Sequence, residues 1–373
     1  MRVLFTSVPL VGHLFPMVPL AWALRSRGDD VLVACPTERF SSTVTTTGLP
    51  VGLIDAGIGP DEYAKASAVE GAGEQLATAI EESGRAWGAL SARISAGMGE
   101  LADDFRPDLV ISEPCEYAGR LAAYERDIPW IEHSWALPGL PAYAAAARTA
   151  LGGATAGAAL PAPSATIHPC PPSLTEDPAA IAMRYVPYNG PARLQQWHRK
   201  GQGRPRALVT FGSLLLDRAH VDPRKLVTKL VESLTEAGFE LVLGLDEGLA
   251  ASLRPWPEHV LHAGWVTLNL ALPHCDLVIH HGGSGTAMAA LVSGVPQLIV
   301  PQATDQFVTA ETLASSGAAL GLTPEEDAPD MVAAHARRLL SEPVFRKRAA
   351  ELAAEMAALP APALVAEKLH IGM

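Results

Sequence analysis

The densest cluster of chemistry in the chain is His-His-Gly-Gly-Ser-Gly-Thr at residues 280–286. An apolar run at 277–279 leads into it and an alanine-rich segment follows. A strand that turns through glycines into a helix aims backbone N–H groups at one point, where the helix dipole adds partial positive charge. Such a turn binds an anion without a lysine. Gly282, Gly283 and Gly285 allow positive φ and close approach of a ligand to the backbone. Ser284 and Thr286 add hydroxyls, and His280 or His281 an imidazole. A phosphate or diphosphate suits this pattern. The lysine-bearing P-loop and the Gly-x-Gly-x-x-Gly dinucleotide spacing are both absent. Asp305 and Gln306 follow a second apolar run, 297–300, at the edge where open α/β sheets bind ligands.

Other positions carry chemistry. Residues 3–7 read as a strand and 15–26 as a helix, so His13 lies in the turn at the carboxyl end of the first strand. Imidazoles titrate near neutral pH, which makes His13 a candidate general base as well as a candidate turn cap. Glu113 ends the apolar run 109–112. A carboxylate beside the imidazole would fix its tautomer, a part for which Glu116 and Glu132 are rivals. Gly212 and Ser213 end the first strand of the second half, placed to donate to a phosphate. Trp265 and Val266 follow a glycine; an indole there stacks on a flat base, although spacing alone favours ordinary core packing for Trp265.

The elements that must position these groups alternate along the chain. Strands are expected at 3–7, 31–35, 51–54, 109–112 and 130–133, separated by helices at 15–26, 37–47, 75–105 and 117–124. Short apolar strands alternating with helices mean parallel βαβ units with both sheet faces covered. From 137 to 172 the periodicity dissolves into Ala, Pro, Gly and Ser, read as loop with a short helix. The alternation restarts with strands at 207–211, 240–244, 260–261, 277–279 and 297–300, and ends in helices at 330–340, 343–357 and 362–371. The expected division is an amino-terminal α/β domain at 1–190, a linker at 191–206, a second α/β domain at 207–357 and a terminal helix at 358–373. A cleft between two such domains is the expected ligand site.

Composition narrows the function. The chain has 373 residues, 49% of them apolar, and a formal net charge of −12. That charge argues against nucleic-acid and anionic-membrane partners, so a phosphate has to be bound locally. No basic-then-apolar leader opens the chain, and no apolar run reaches the roughly 20 residues that span a bilayer. Cys35, Cys115, Cys170 and Cys275 are scattered without a Cys-x-x-Cys pair and read as buried free thiols. A cytoplasmic protein without membrane insertion is expected. A nicotinamide oxidoreductase would need a phosphate fingerprint after the first strand, which residues 8–12 lack.

Taken together these motifs resemble the family 1 glycosyltransferases of GT-B fold, especially bacterial enzymes that glycosylate antibiotics and other natural products. The matching pieces are Gly-His-Leu-Phe-Pro-Met-Val-Pro-Leu-Ala (12–21), Pro-Asp-Leu-Val (107–110), Cys-Pro-Pro-Ser-Leu (170–174) and Met-Arg-Tyr-Val-Pro-Tyr-Asn-Gly (183–190). In the second half they are Thr-Phe-Gly-Ser (210–213), Trp-Val (265–266), the 280–286 loop and Asp-Gln (305–306). The resemblance implies two Rossmann-like domains and a C-terminal helix returning to the first. It implies an inverting, metal-independent hexosyltransferase with no cofactor beyond its donor, a dTDP- or UDP-sugar with dTDP favoured. The acceptor would be a hydrophobic small molecule, and the assembly a homodimer. His13 would deprotonate the acceptor hydroxyl, oriented by Glu113 where the family usually has Asp. His280, Gly283, the N–H groups of Ser284, Gly285 and Thr286, and Gly212 with Ser213 would hold the diphosphate. Trp265 would stack on the pyrimidine with the Val266 backbone at its edge, and Asp305 and Gln306 would bind the sugar. His281 is given a structural part. The other reading is a non-catalytic homologue that activates a partner enzyme.

Overall fold

The computed structural model describes residues 1–371 except 55–56, 68–74, 136–140, 152–161, 176, 196, 198–202, 213–221 and 324–325. The first sheet contains β1 (Arg2–Thr6), β2 (Asp30–Cys35), β3 (Val51–Leu53), β4 (Leu109–Ser112), β5 (Trp130–His133), β6 (Ala165–His168) and β7 (Ile181–Ala182). Their order is β3-β2-β1-β4-β5-β6-β7, and every pairing is parallel. Helices cover both faces, which is why Val3, Leu4 and Phe5 are consecutive, apolar and all buried instead of alternating with polar residues. Leu4 and Val110 face a core that includes Trp87 and Met98; Phe5 and Ile111 face one that includes Leu20, Val365 and Leu369.

The second sheet contains β8 (Arg206–Thr210), β9 (Glu240–Gly244), β10 (Val260–Gly264), β11 (Leu277–His280), β12 (Gln297–Ile299) and β13 (Ala319–Gly321), in the order β10-β9-β8-β11-β12-β13. It too is parallel throughout. The chain divides into two compact units, Met1–Gly190 with Ala358–Met373, and Pro191–Ala357. The terminal helix Pro362–Ile371 buries Val365, Ala366 and Leu369 in the same core as the helix Val18–Ser26, and Arg184 N–H donates to Pro360 O at 2.8 Å.

In each sheet the strand order reverses at one place, between β1 and β4 and between β8 and β11. The loops leaving neighbouring strands there diverge to opposite faces, so the carboxyl ends frame a crevice. Residues 8–13 and 113–117 leave the first such point; residues 211–212 and 281–284 leave the second.

Three strands escape the sequence pattern: β6, β7 and β13. Each has only two to four residues and borders Pro-, Gly- or Ala-rich chain, so pairing with β5, β6 and β12 defines it. The stretch expected to be irregular holds β6 and an eleven-residue helix, Pro141–Leu151. That helix lies on the long helix Leu76–Phe105, where Gly84 and Gly88 let its backbone approach; a Cβ at Gly84 would stand 2.6 Å from Tyr143 O. The stretch Pro343–His370 meets the length and hydropathy of a membrane span, at 28 residues and a mean of 1.3, contrary to the sequence expectation. It consists of two helices, Pro343–Ala358 and Pro362–Ile371, and each buries an apolar face in its own unit.

Candidate active site

The turn after β1 places His13 in a one-turn helix, Val11–Leu14, entered through extended Leu10. Glu113 follows β4 directly, and its N–H extends the ladder to Thr6 O at 3.3 Å. The two side chains meet, His13 Nδ1 lying 3.0 Å from Glu113 Oε2. Glu113 is fully buried and heavily solvated by donors: Val8 N–H reaches Oε1 at 3.2 Å, while Cys115 N–H at 2.8 Å and Trp135 Nε1–H at 2.9 Å reach Oε2. Burial pushes its pKa up, but the His13 charge and hydrogen bond and the Cys115 and Val8 amides outweigh it and hold the carboxyl below its ordinary value. An ionised carboxylate on Nδ1 keeps the proton there and leaves the lone pair on Nε2. The ring stands between Trp135 at 5.1 Å and Trp87 at 5.8 Å, and 16% of the side chain remains exposed.

The rival carboxylates have other work. Glu116 accepts from Ala118 and Gly119 N–H at 2.8 and 2.9 Å, capping the helix Ala118–Tyr124. Glu132 pairs with Arg120 at 3.5 Å. Burial raises the pKa of both. Cys115 brings a thiol within 4.8 Å of the His13 and Glu113 ligand atoms. Glu113 already accepts four donors, so the three groups form a hydrogen-bonded dyad with a neighbouring thiol, and a metal would have to displace those donors.

At the second switch point the helix Ser284–Ser293 begins at Gly283 without a side-chain cap. The N–H groups of Ser284 and Gly285 have no carbonyl ahead of them in the helix. The N–H of Thr286 is taken by Gly283 O at 3.1 Å, so the loop offers one backbone donor fewer than the sequence implied. The Ser284 hydroxyl is buried without a hydrogen-bond partner. Gly282 has φ 94°, and a Cβ there would press on Gln306 O at 3.0 Å, which brings the loop against the start of the helix Thr304–Ser315.

The two histidines differ. His280 Nδ1 accepts from Gly282 N–H at 3.1 Å, so Nε2 carries the proton and donates to Gln297 Oε1 at 2.9 Å. The ring is fully buried, and burial with His281 nearby pushes its pKa down to about 3. His281 instead packs its ring against Gly212 and Gly283, where a Cβ at Gly212 would sit 2.9 Å from Cε1. Burial pushes it down to about 4, so both rings are neutral near pH 7. His281 is therefore the ring beside the glycine loop, a departure from the expectation that gave His280 to the diphosphate. Both nitrogens of His280 are spent inside the fold.

Trp265 leaves β10 after Gly264, two strands from β8. Its indole is 59% exposed, against the core packing that spacing favours, while Val266 is buried in the second unit's core. Glu247 fixes the Trp265 backbone by accepting its N–H at 2.8 Å. Gln306 is buried, and its Oε1 accepts from Gln302 and Ala303 N–H at 2.9 and 3.2 Å, capping its own helix; Asp305 stays partly exposed on the first turn. Ser213 lies outside the described residues. Sequence reasoning missed Trp135 and Glu247. Trp135 follows β5 by two residues, the same edge that marked His13 and Glu113, and that position was the signal available.

Residues 22–212 match the model of the erythromycin biosynthesis protein CIII-like N-terminal domain, and residues 228–371 that of its C-terminal domain. The chain is 41% identical to an L-demethylnoviosyl transferase of Streptomyces niveus over 99% of its length and 97% of the relative's. It is 36% identical to the elloramycin glycosyltransferase ElmGT of Streptomyces olivaceus, with the same coverage. The solved glycosyltransferase SsfS6 of Streptomyces sp. SF2575, complexed with thymidine diphosphate, superposes with TM-score 0.83 at 33% identity over 99% of both chains.

Proposed function

The chain belongs to the erythromycin biosynthesis protein CIII-like family of glycosyltransferases and has their GT-B fold, and from that premise we propose the reaction it performs. It moves a sugar from thymidine diphosphate to a hydroxyl of a small natural-product acceptor, with inversion at the anomeric carbon. The observation that carries this reading is the dyad: Glu113 holds Nδ1 of His13 and leaves Nε2 open at the carboxyl edge of the first sheet. Nε2 takes the acceptor proton as the oxygen attacks the anomeric carbon from the face opposite the leaving group. The bond from that carbon to the diphosphate oxygen breaks, and the nucleoside diphosphate leaves with the electron pair.

Charge growing on the diphosphate calls for donors fixed in advance. The Ser284 and Gly285 N–H groups and the Ser284 hydroxyl supply them, beside Gly212, Gly283 and the His281 ring. Trp265 offers its exposed face to the base, and Asp305 meets the sugar hydroxyls. With this donor set the diphosphate is held without a metal. Thymidine diphosphate is preferred to uridine diphosphate because SsfS6 was solved with it.

Replacing His13 by Ala tests the reading. Loss of a general base costs about 10²–10⁴ in turnover, while thymidine diphosphate affinity stays near wild type. A variant within tenfold of wild-type transfer would remove His13 from the chemistry.

A further inference from the structure

We propose that Trp135 is a positioning residue for the catalytic dyad, its indole N–H aiming the Glu113 carboxylate at His13 while its ring walls the imidazole. The inference rests on the reading of His13 as base. Four donors meet the Glu113 carboxylate oxygens, and three of them are His13 itself and two backbone amides. Trp135 is the remaining one, a side chain from beyond β5, whose Nε1–H lies 2.9 Å from Oε2, the oxygen that also meets His13. The same indole ring lies 5.1 Å from the imidazole at 59°. One residue thus touches both members of the dyad.

The need for such a donor follows from the chain length of glutamate. Its carboxylate swings on one more torsion than an aspartate's would, and an added donor restricts that freedom. The N–H also spreads the negative charge facing the imidazole. Without it the carboxylate is a stronger acceptor and holds the His13 proton more tightly, so the base becomes available only at higher pH. The other ionisable groups around Glu113 are Cys115, Glu116, Tyr117, Arg120 and Glu132; Arg120 donates to the Glu113 backbone carbonyl at 2.9 Å.

Trp135→Phe keeps a ring against His13 and removes only the N–H. We expect kcat to fall roughly tenfold with the KM for donor unchanged, as for loss of a hydrogen bond to a charged group. The acid limb of the kcat/KM profile should move to higher pH. In a Glu113→Asp background, where the carboxylate is drawn back from Trp135, the same substitution should cost much less, a coupling that a double-mutant cycle reads. Lower activity with the acid limb in place and additive costs would overturn the proposal and leave Trp135 as packing. If Trp135→Phe does not fold, Glu113→Asp alone decides: an unmoved acid limb counts against the aiming role. Failure of the underlying reading looks different, because His13→Ala would then retain transfer whatever Trp135 does.

Discussion

The two histidines of the glycine loop are placed differently, and substitution can separate structure from binding at single-residue resolution. His280 ties Gly282 to Gln297 through both nitrogens, so His280→Ala should lower the melting temperature more than it weakens thymidine diphosphate binding. His281→Ala should do the reverse, weakening binding more than it lowers the melting temperature, because its ring packs against Gly212 and Gly283 of the loops that would hold the diphosphate. Calorimetry and thermal melting on the pair decide, and the opposite ranking would restore His280 to the diphosphate. The sequence could place both rings at the end of a strand but not say which face each takes. The same ambiguity covered Glu113, Glu116 and Glu132, three carboxylates near one sheet edge. Only the turn after β4 shows that Glu113 points at His13 while Glu116 folds back to cap its helix. Spacing alone favours core packing for Trp265, and its exposure escapes that pattern for a related reason: an aromatic side chain is apolar by type, and exposure depends on the strand ending just before it.

At the scale of elements, the site's walls depend on close helix contacts. Trp87, beside His13, rides on the helix Leu76–Phe105, which meets the helix Pro141–Leu151 through Gly84 and Gly88. A Cβ on Gly88 would overlap the Ala147 backbone, which cannot yield as a flexible side chain would. Gly88→Ala should therefore destabilise the first unit by about 1–3 kcal/mol, despite alanine's better helix propensity. A denaturation midpoint at or above wild type would mean the two helices separate freely. The long apolar period of 76–105 was legible in the sequence, as were the central strands with their runs of Val, Ile and Leu. The partner helix and the edge strands β6, β7 and β13 were not, because their residues are small or few and take their structure from neighbours.

For the whole molecule, acidity is a liability stored in buried histidines. His133, His280 and His281 have pKa values pushed from 6.5 down to about 4, 3 and 4 by burial. The unfolded chain therefore binds more protons than the folded one below pH 6.5. Their contribution to stability is complete above that pH and is lost as pH falls toward 4, by up to about 3 kcal/mol each. Melting temperature should fall steadily over that window, and a flat profile from pH 7 to 5 would contradict such deep burial. The fold class, including the terminal helix that joins the first unit, was legible from the alternation of strands and helices and from the motifs. The most direct test of the central claim is isothermal titration of the intact protein with thymidine diphosphate in the presence of a chelator, repeated on His13→Ala. We expect one site per chain, of equal affinity in both proteins and tighter than for uridine diphosphate. Absence of binding to wild type, or its loss with His13, would contradict it.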